Sequence, residues 1–342
     1  MSEDIGTVVT RFQVGRPTVD ARVAVTRPTL PGDALSSLRA RATLETSPLS
    51  RPLHEQELIA LVKSAHALIC QSSDRITAAV VAAAPQLLIV STVSVGFDHL
   101  DLTELTQAGI LVTNTPGVLT ETTADMAWAL ILATRRRVVE ADRLVHAGLW
   151  TSEGFELLPA LDVHGATLGI VGLGAVGRAV ARRAQGFEMH VLYYSRHGVA
   201  DLPFEQVSFD ELLERSDIIT LHVSLNAETR GLIGERELHR MKPEAVLVNT
   251  SRGGVVDQQA LARALADRSI AAAGLDVTAI EPIPADDPLL TLPNCIVLPH
   301  ISSATIRTRA RMAEMAVAAV DNVLDGRVPL HMINNRNAGG TP

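Results

Sequence analysis

Thr167-Leu168-Gly169-Ile170-Val171-Gly172-Leu173-Gly174-Ala175-Val176-Gly177 is the stretch whose reading decides the fold. Thr167–Val171 is short, apolar and rich in branched residues, as a buried strand is, and Val176 to about Ala184 reads as a helix. Between them Gly172, Gly174 and Gly177 stand at the spacing of a dinucleotide fingerprint, in the strand–turn–helix context such a fingerprint needs. The first glycine permits the tight turn, the second lets backbone approach a pyrophosphate, and the third lets helix pack on strand. The run Gly172, Leu173, Gly174, Ala175, Val176, Gly177 is therefore the candidate phosphate cradle. Unpaired N–H groups and the helix dipole favour anions there.

The motif begins mid-chain, so a sizeable body of protein precedes it. A chain of 342 residues is long for one hydrophobic core, and two domains are the first expectation. Strand-like and helix-like runs alternate from about residue 22: Arg22–Thr26, a helix near Glu55–Ala65, Ala67–Cys70, Leu87–Ser91 and Ile110–Thr113. Thr120–Ala147 reads as one long helix. Beyond the fingerprint, strands are expected at Met189–Tyr194, Asp217–His222, Ala245–Thr250, Ala272–Asp276 and Cys295–Leu298. A last helix runs from Thr305 to about Leu324, ahead of a Pro/Asn-rich tail. Such alternation implies mainly parallel sheets, and with Leu168–Val171 the later strands make six, a complete dinucleotide-binding domain.

Composition excludes several classes. A net charge of −8 gives no reason to expect nucleic-acid binding. The run Arg135–Arg137 reads as a solvated helix face. Cys70 and Cys295, in apolar surroundings, read as buried thiols of a reducing compartment, with neither a disulfide nor a metal site. The acidic start Met1–Asp4 has no secretory core, and the apolar stretch Ala78–Val95 is interrupted by Pro85 and Gln86. A cytoplasmic protein without a membrane span is expected.

The strand after the fingerprint ends at Tyr194 and is followed by Ser195 and Arg196, where many dinucleotide folds carry an acid for the ribose hydroxyls. Ser195 and Arg196 could instead hydrogen-bond a 2′-phosphate. NADP(H) is thus the preferred cofactor, with NAD(H) possible. Three further segments place polar groups after strands, at the carboxyl ends where open sheets bind ligands. Arg252 follows the first, where its guanidinium could meet a carboxylate bidentately. Glu281 follows the second and His300 ends the third; a Glu281–His300 pair would donate a proton to a developing alkoxide.

These segments resemble the D-isomer-specific 2-hydroxyacid dehydrogenase family, and most closely its glyoxylate/hydroxypyruvate reductase branch. The resemblance rests on Ser94–Asp98, Asn114–Thr120, the glycine run, Asn249–Gly253, Gly274–Val277 and Pro299–Ile301, and covers nearly the whole chain after residue 20. It implies two Rossmann-like α/β domains of doubly wound parallel sheet. The cofactor domain (116–303) would be inserted into a flavodoxin-like substrate domain (21–115 and 304–342), with residues 1–20 an extension. It also implies that Arg252 polarises a 2-keto group and holds a carboxylate, that His300 is the acid/base and Glu281 its partner. The backbone of Val95 and Gly96 would bind the substrate carboxylate. Asp276 would sit near the nicotinamide carboxamide, and Thr250, Ser251, Ile301 and Ser302 would line the nicotinamide end. The implied activity is NAD(P)H-dependent reduction of a small 2-keto acid to the D-2-hydroxy acid, by a homodimer; Trp150 falls in the part of the family that builds the dimer contact, and reads equally as a tryptophan packed within its own chain. Gly117, Thr278 and Ser302 depart from the common family residues without removing a catalytic group. Two other readings stay open: a dehydrogenase of another small anion, of the phosphite or 3-phosphoglycerate type, and a nucleotide-sensing co-repressor-like scaffold.

Overall fold

The computed structural model describes residues 11–151, 154–196 and 203–334. Residues 1–10 of the expected extension and the distal tail lie outside the described residues. The chain divides into two compact units, Met1–Val118 with Thr305–Pro342, and Leu119–Ala304.

The first unit carries a five-stranded sheet in which β1 (Arg22–Val25), β2 (Thr43–Thr46), β3 (Ala67–Cys70), β4 (Ile89–Thr92) and β5 (Leu111–Thr113) lie in the order β2-β1-β3-β4-β5. All pairings are parallel. That order is the flavodoxin-like one. Strands β3 and β4 are buried throughout, as in a sheet with helices on both faces; β3 is wholly apolar, and β4 ends in the buried Ser91 and Thr92. The C-terminal helix Ile306–Leu324 packs on one face through Ala313, Ala316, Val320 and Val323. Residues 11–20 are tied to this unit. Phe12 is buried in that same cluster, and the Arg11 guanidinium donates to the Ala84 and Leu87 carbonyls.

The second unit carries seven parallel strands: β6 (Thr167–Val171), β7 (His190–Tyr194), β8 (Glu205–Gln206), β9 (Ile218–Leu221), β10 (Val246–Asn249), β11 (Ala272–Leu275) and β12 (Cys295–Val297). Their order is β12-β11-β10-β9-β6-β7-β8, with the switch beside β6. Two apolar clusters fill its faces. Trp128 stacks on Phe187 at 4.6 Å between ring centres, and its indole N–H donates to the Val180 carbonyl. Truncating a fully buried leucine such as Leu168 or Leu247 to alanine should cost about 2–5 kcal/mol.

Three features differ from the sequence expectation. Strands β2 and β8 are short edge strands with mixed or exposed patterns, so they lack the apolar run that marks the others. The expected helix over 120–147 is two helices, Thr120–Arg135 and Val138–His146, broken where Arg137 takes a left-handed backbone, φ +53°. The arginine run is not one solvated face. Arg136 is exposed and Arg137 forks onto Glu140, but Arg135 is buried and donates to the carbonyls of Asp162, Asp217 and Glu244. Those acceptors come from three distant segments, which helical periodicity does not reveal. Cys70 and Cys295 are buried free thiols, and burial pushes Cys295 up to about 12. Among the described residues no helix is long and apolar enough to cross a membrane, and no His/Cys/Asp/Glu group could hold a metal ion.

Candidate active site

The glycines of the loop after β6 divide their work. Gly172 has φ +94°, and a Cβ there would lie 2.8 Å from the His222 carbonyl oxygen. A Cβ on Gly177 would overlap the Gly172 carbonyl, so the helix Ala175–Ala184 could not approach the strand. At Gly174, by contrast, a Cβ would meet no atom within 4 Å beyond its immediate chain neighbours. The missing side chain there serves no internal packing and leaves the backbone and the helix N-terminus open, as a bound pyrophosphate would require. Ser195 and Arg196 follow β7, the neighbouring strand. Arg196 is exposed and ion-paired with Glu228. His222 follows β9 directly, and burial pushes its imidazole down to about 3, which favours the neutral form.

The carboxyl edge of the same sheet gathers the polar segments. Register places Asn249, Leu275 and Val297 level with one another, so the residues after β10, β11 and β12 emerge side by side. After β10, the Asn249 amide builds a pedestal. Its oxygen accepts from the Ser251 N–H and hydroxyl, and its nitrogen donates to the Arg252 carbonyl. Gly253 then lies directly against the Thr278–Ala279 peptide. The Thr250 hydroxyl is buried without a partner among the described residues.

After β11, the Thr278 N–H donates to Glu281 Oε1 at 3.1 Å, and Ala279 N–H donates to the Gln258 side chain at 2.8 Å. After β12, His300 Nδ1 lies 2.7 Å from Glu281 Oε2. Burial alone would push Glu281 up. The hydrogen bond and charge of His300, the Thr278 N–H and the Arg252 charge outweigh it and hold the carboxyl below its usual range. An ionised Glu281 only accepts, so His300 donates its Nδ1–H and presents Nε2 outward. Asp276 is fully buried, and its carboxylate accepts from Ile301 N–H, Ser302 N–H and the Ser302 hydroxyl.

Val95 and Gly96 belong to the other unit, in the loop after β4. Asn114 donates to the Val95 carbonyl and the Ser94 hydroxyl to the Gly96 carbonyl, each at 2.7 Å. Thr92, bridged to Ser94 and to His99 Nε2, stiffens the same loop. Among the described residues neither the Val95 nor the Gly96 N–H donates to a protein acceptor. Asn249, Gly253 and Gln258 escaped the sequence reading as supports; only the glycine pair after β10 hinted at one of them.

Residues 128–302 match the D-isomer specific 2-hydroxyacid dehydrogenase, NAD binding domain family. The glyoxylate reductase of Korarchaeum cryptofilum is 49% identical over 92% of this chain and 96% of its own length.

The chain belongs to the D-isomer specific 2-hydroxyacid dehydrogenase family.

This dehydrogenase is an NAD(P)-dependent oxidoreductase. It is also similar to the glyoxylate reductase of Thermococcus gammatolerans, 44% identical over 92% of this chain and 96% of that one. Among solved structures, a Thermus thermophilus protein superposes with a TM-score of 0.86 at 46% identity, covering 91% of this chain and 99% of that one. An NADPH-dependent glyoxylate/hydroxypyruvate reductase of Sinorhizobium meliloti, solved with NADP and malonate, superposes with a TM-score of 0.82 at 31% identity, covering 92% and 97%.

Proposed function

We propose that this dehydrogenase reduces glyoxylate and hydroxypyruvate to their D-2-hydroxy acids, preferring NADPH. The observation that carries the reading is the His300–Glu281 hydrogen bond, with Arg252 in charge range, at the carboxyl edge of a dinucleotide-binding sheet. The names of its relatives supply the substrate class.

Gly172–Gly177 would hold the pyrophosphate, with Thr250, Ser251, Asp276, Ile301 and Ser302 toward the nicotinamide end. The bound dinucleotide supplies the hydride that reduces the keto carbon. Protonated His300 gives its Nε2 proton to the carbonyl oxygen as that oxygen becomes hydroxyl. Glu281, ionised, fixes the tautomer and stabilises the imidazolium before transfer. Arg252 polarises the keto oxygen and pairs with the carboxylate.

The cofactor preference is supported by Ser195 and Arg196 and by the lack of an acid directly after β7. The Arg196–Glu228 pair is exposed and so is held weakly, and a 2′-phosphate could displace the carboxylate. A homodimer is supported by the apolar side chains exposed along one stretch, Val138, Val145, Leu149, Trp150 and Phe155. The buried free thiols support a cytoplasmic location.

The test is NADPH oxidation with glyoxylate, hydroxypyruvate and pyruvate, with His300→Gln as control. Turnover that the variant loses supports the reading. Tight NADPH binding with no turnover on any 2-keto acid overturns it.

A further inference from the structure

His300 has a left-handed backbone, φ +54°, which a bulky L-residue rarely adopts. The surroundings must impose it, and the hydrogen bonds that do so converge on one residue. The His300 N–H donates to the Asp276 carbonyl at 2.9 Å. The Ile301 N–H donates to Asp276 Oδ1 and the Ser302 N–H to Oδ2, each at 2.8 Å. The Ser302 hydroxyl adds a second donor to Oδ2. Asp276 is itself fixed to the sheet through its N–H, which donates to the Asn249 carbonyl at 2.9 Å.

Asp276 is fully buried and Ser302 only 7% exposed. Water therefore does not replace a donor lost from this carboxylate, and each donor counts for more than at a surface. The Glu281 loop is held by Thr278 and Gln258. The two loops, one hung on Asp276 and the other leaving the sheet at Asp276 and held farther on by Gln258, meet at the 2.7 Å bond between His300 and Glu281. A rotation of residues 300–302 about the Asp276 carboxylate would swing the imidazole and break that alignment.

We propose that Ser302 is a positioning residue for this reaction: its hydroxyl, bound to Asp276, locks the backbone that aims His300 at Glu281. The proposal rests on His300 being the proton donor, and gives Ser302 work beyond lining a cofactor site. Ser302→Ala keeps the backbone N–H bonds and removes only the hydroxyl, and Ser302→Thr restores a hydroxyl.

The experiment pairs kinetics with nuclear magnetic resonance of the full-length enzyme. In Ser302→Ala, kcat for glyoxylate should fall about twofold to tenfold, the range one lost hydrogen bond supplies. The loss should fall on kcat and not on KM for glyoxylate, should exceed any change in Kd for NADPH, and should be recovered in Ser302→Thr. In the substrate-free enzyme, the His300 Nδ1 proton, identified by its loss in His300→Gln, should exchange with water faster in Ser302→Ala. An unchanged kcat, or an equally protected Nδ1 proton, overturns the proposal. So does a weakened Kd for NADPH with kcat intact, which would make Ser302 a cofactor contact only. A wild-type enzyme that turns over no 2-keto acid would defeat the proposed function, and the proton exchange would then decide the Ser302 role alone.

Discussion

Gly253 lies flat against the peptide joining Thr278 to Ala279, and a Cβ on it would overlap the Thr278 carbonyl. This contact lets the Arg252 loop and the Glu281 loop stand side by side. Gly253→Ala should push them apart, and displacement of this size costs on the order of 10²-fold in kcat/KM. Steady-state kinetics on the folded variant checks it; near-wild-type activity would show that the loops tolerate separation.

Glu281 titrates below the ordinary glutamate value of about 4.3 because His300 and its other partners outweigh burial. A depressed folded-state value stabilises the native protein above the unfolded carboxylate's pKa, and that contribution is lost as pH falls through the lowered value. In His300→Gln the charge disappears while burial remains, so the Glu281 titration should move upward. Carbon-13 observation of the carboxyl in wild type and variant measures it. A midpoint that does not move would remove His300 as the cause.

Arg196 is shared between Glu228 and the proposed 2′-phosphate. Arg196→Ala should lower kcat/KM for NADPH by about tenfold, roughly the 1.4 kcal/mol of a solvent-weakened charged hydrogen bond, with little change for NADH. Glu228→Gln should act oppositely and sharpen the NADPH preference. Equal efficiencies with both cofactors, unaltered by either change, would reject the assignment.

Trp150 is 56% exposed and Phe155 fully so. If a second copy covers them, Trp150→Ala and Phe155→Asp should shift the mass by light scattering from two chains toward one. A wild-type protein that runs as a monomer would dispose of the homodimer.

Some of this was legible along the chain because its causes are local. Gly172 and Gly177 announce the tight turn and the close helix packing of the loop after β6, since each constrains a single backbone position, and with Gly174 they gave the candidate phosphate cradle. The buried strands announce themselves as continuous apolar runs. Edge strands β2 and β8 do not, having no two-sided burial to leave a pattern.

Arg252, Glu281 and His300 were identifiable by residue type and by their places after strands. The sequence alone determined a dinucleotide-binding α/β chain with these candidate groups. Only the tertiary structure decided how they are held. Parallel register levels Asn249, Leu275 and Val297, and only then do Gly253 against Thr278, Asp276 beneath Ser302, and Arg135 on three remote carbonyls come into being. Hydrogen bonds between segments far apart in sequence leave no periodic trace in it, because their geometry exists only after the strands have paired.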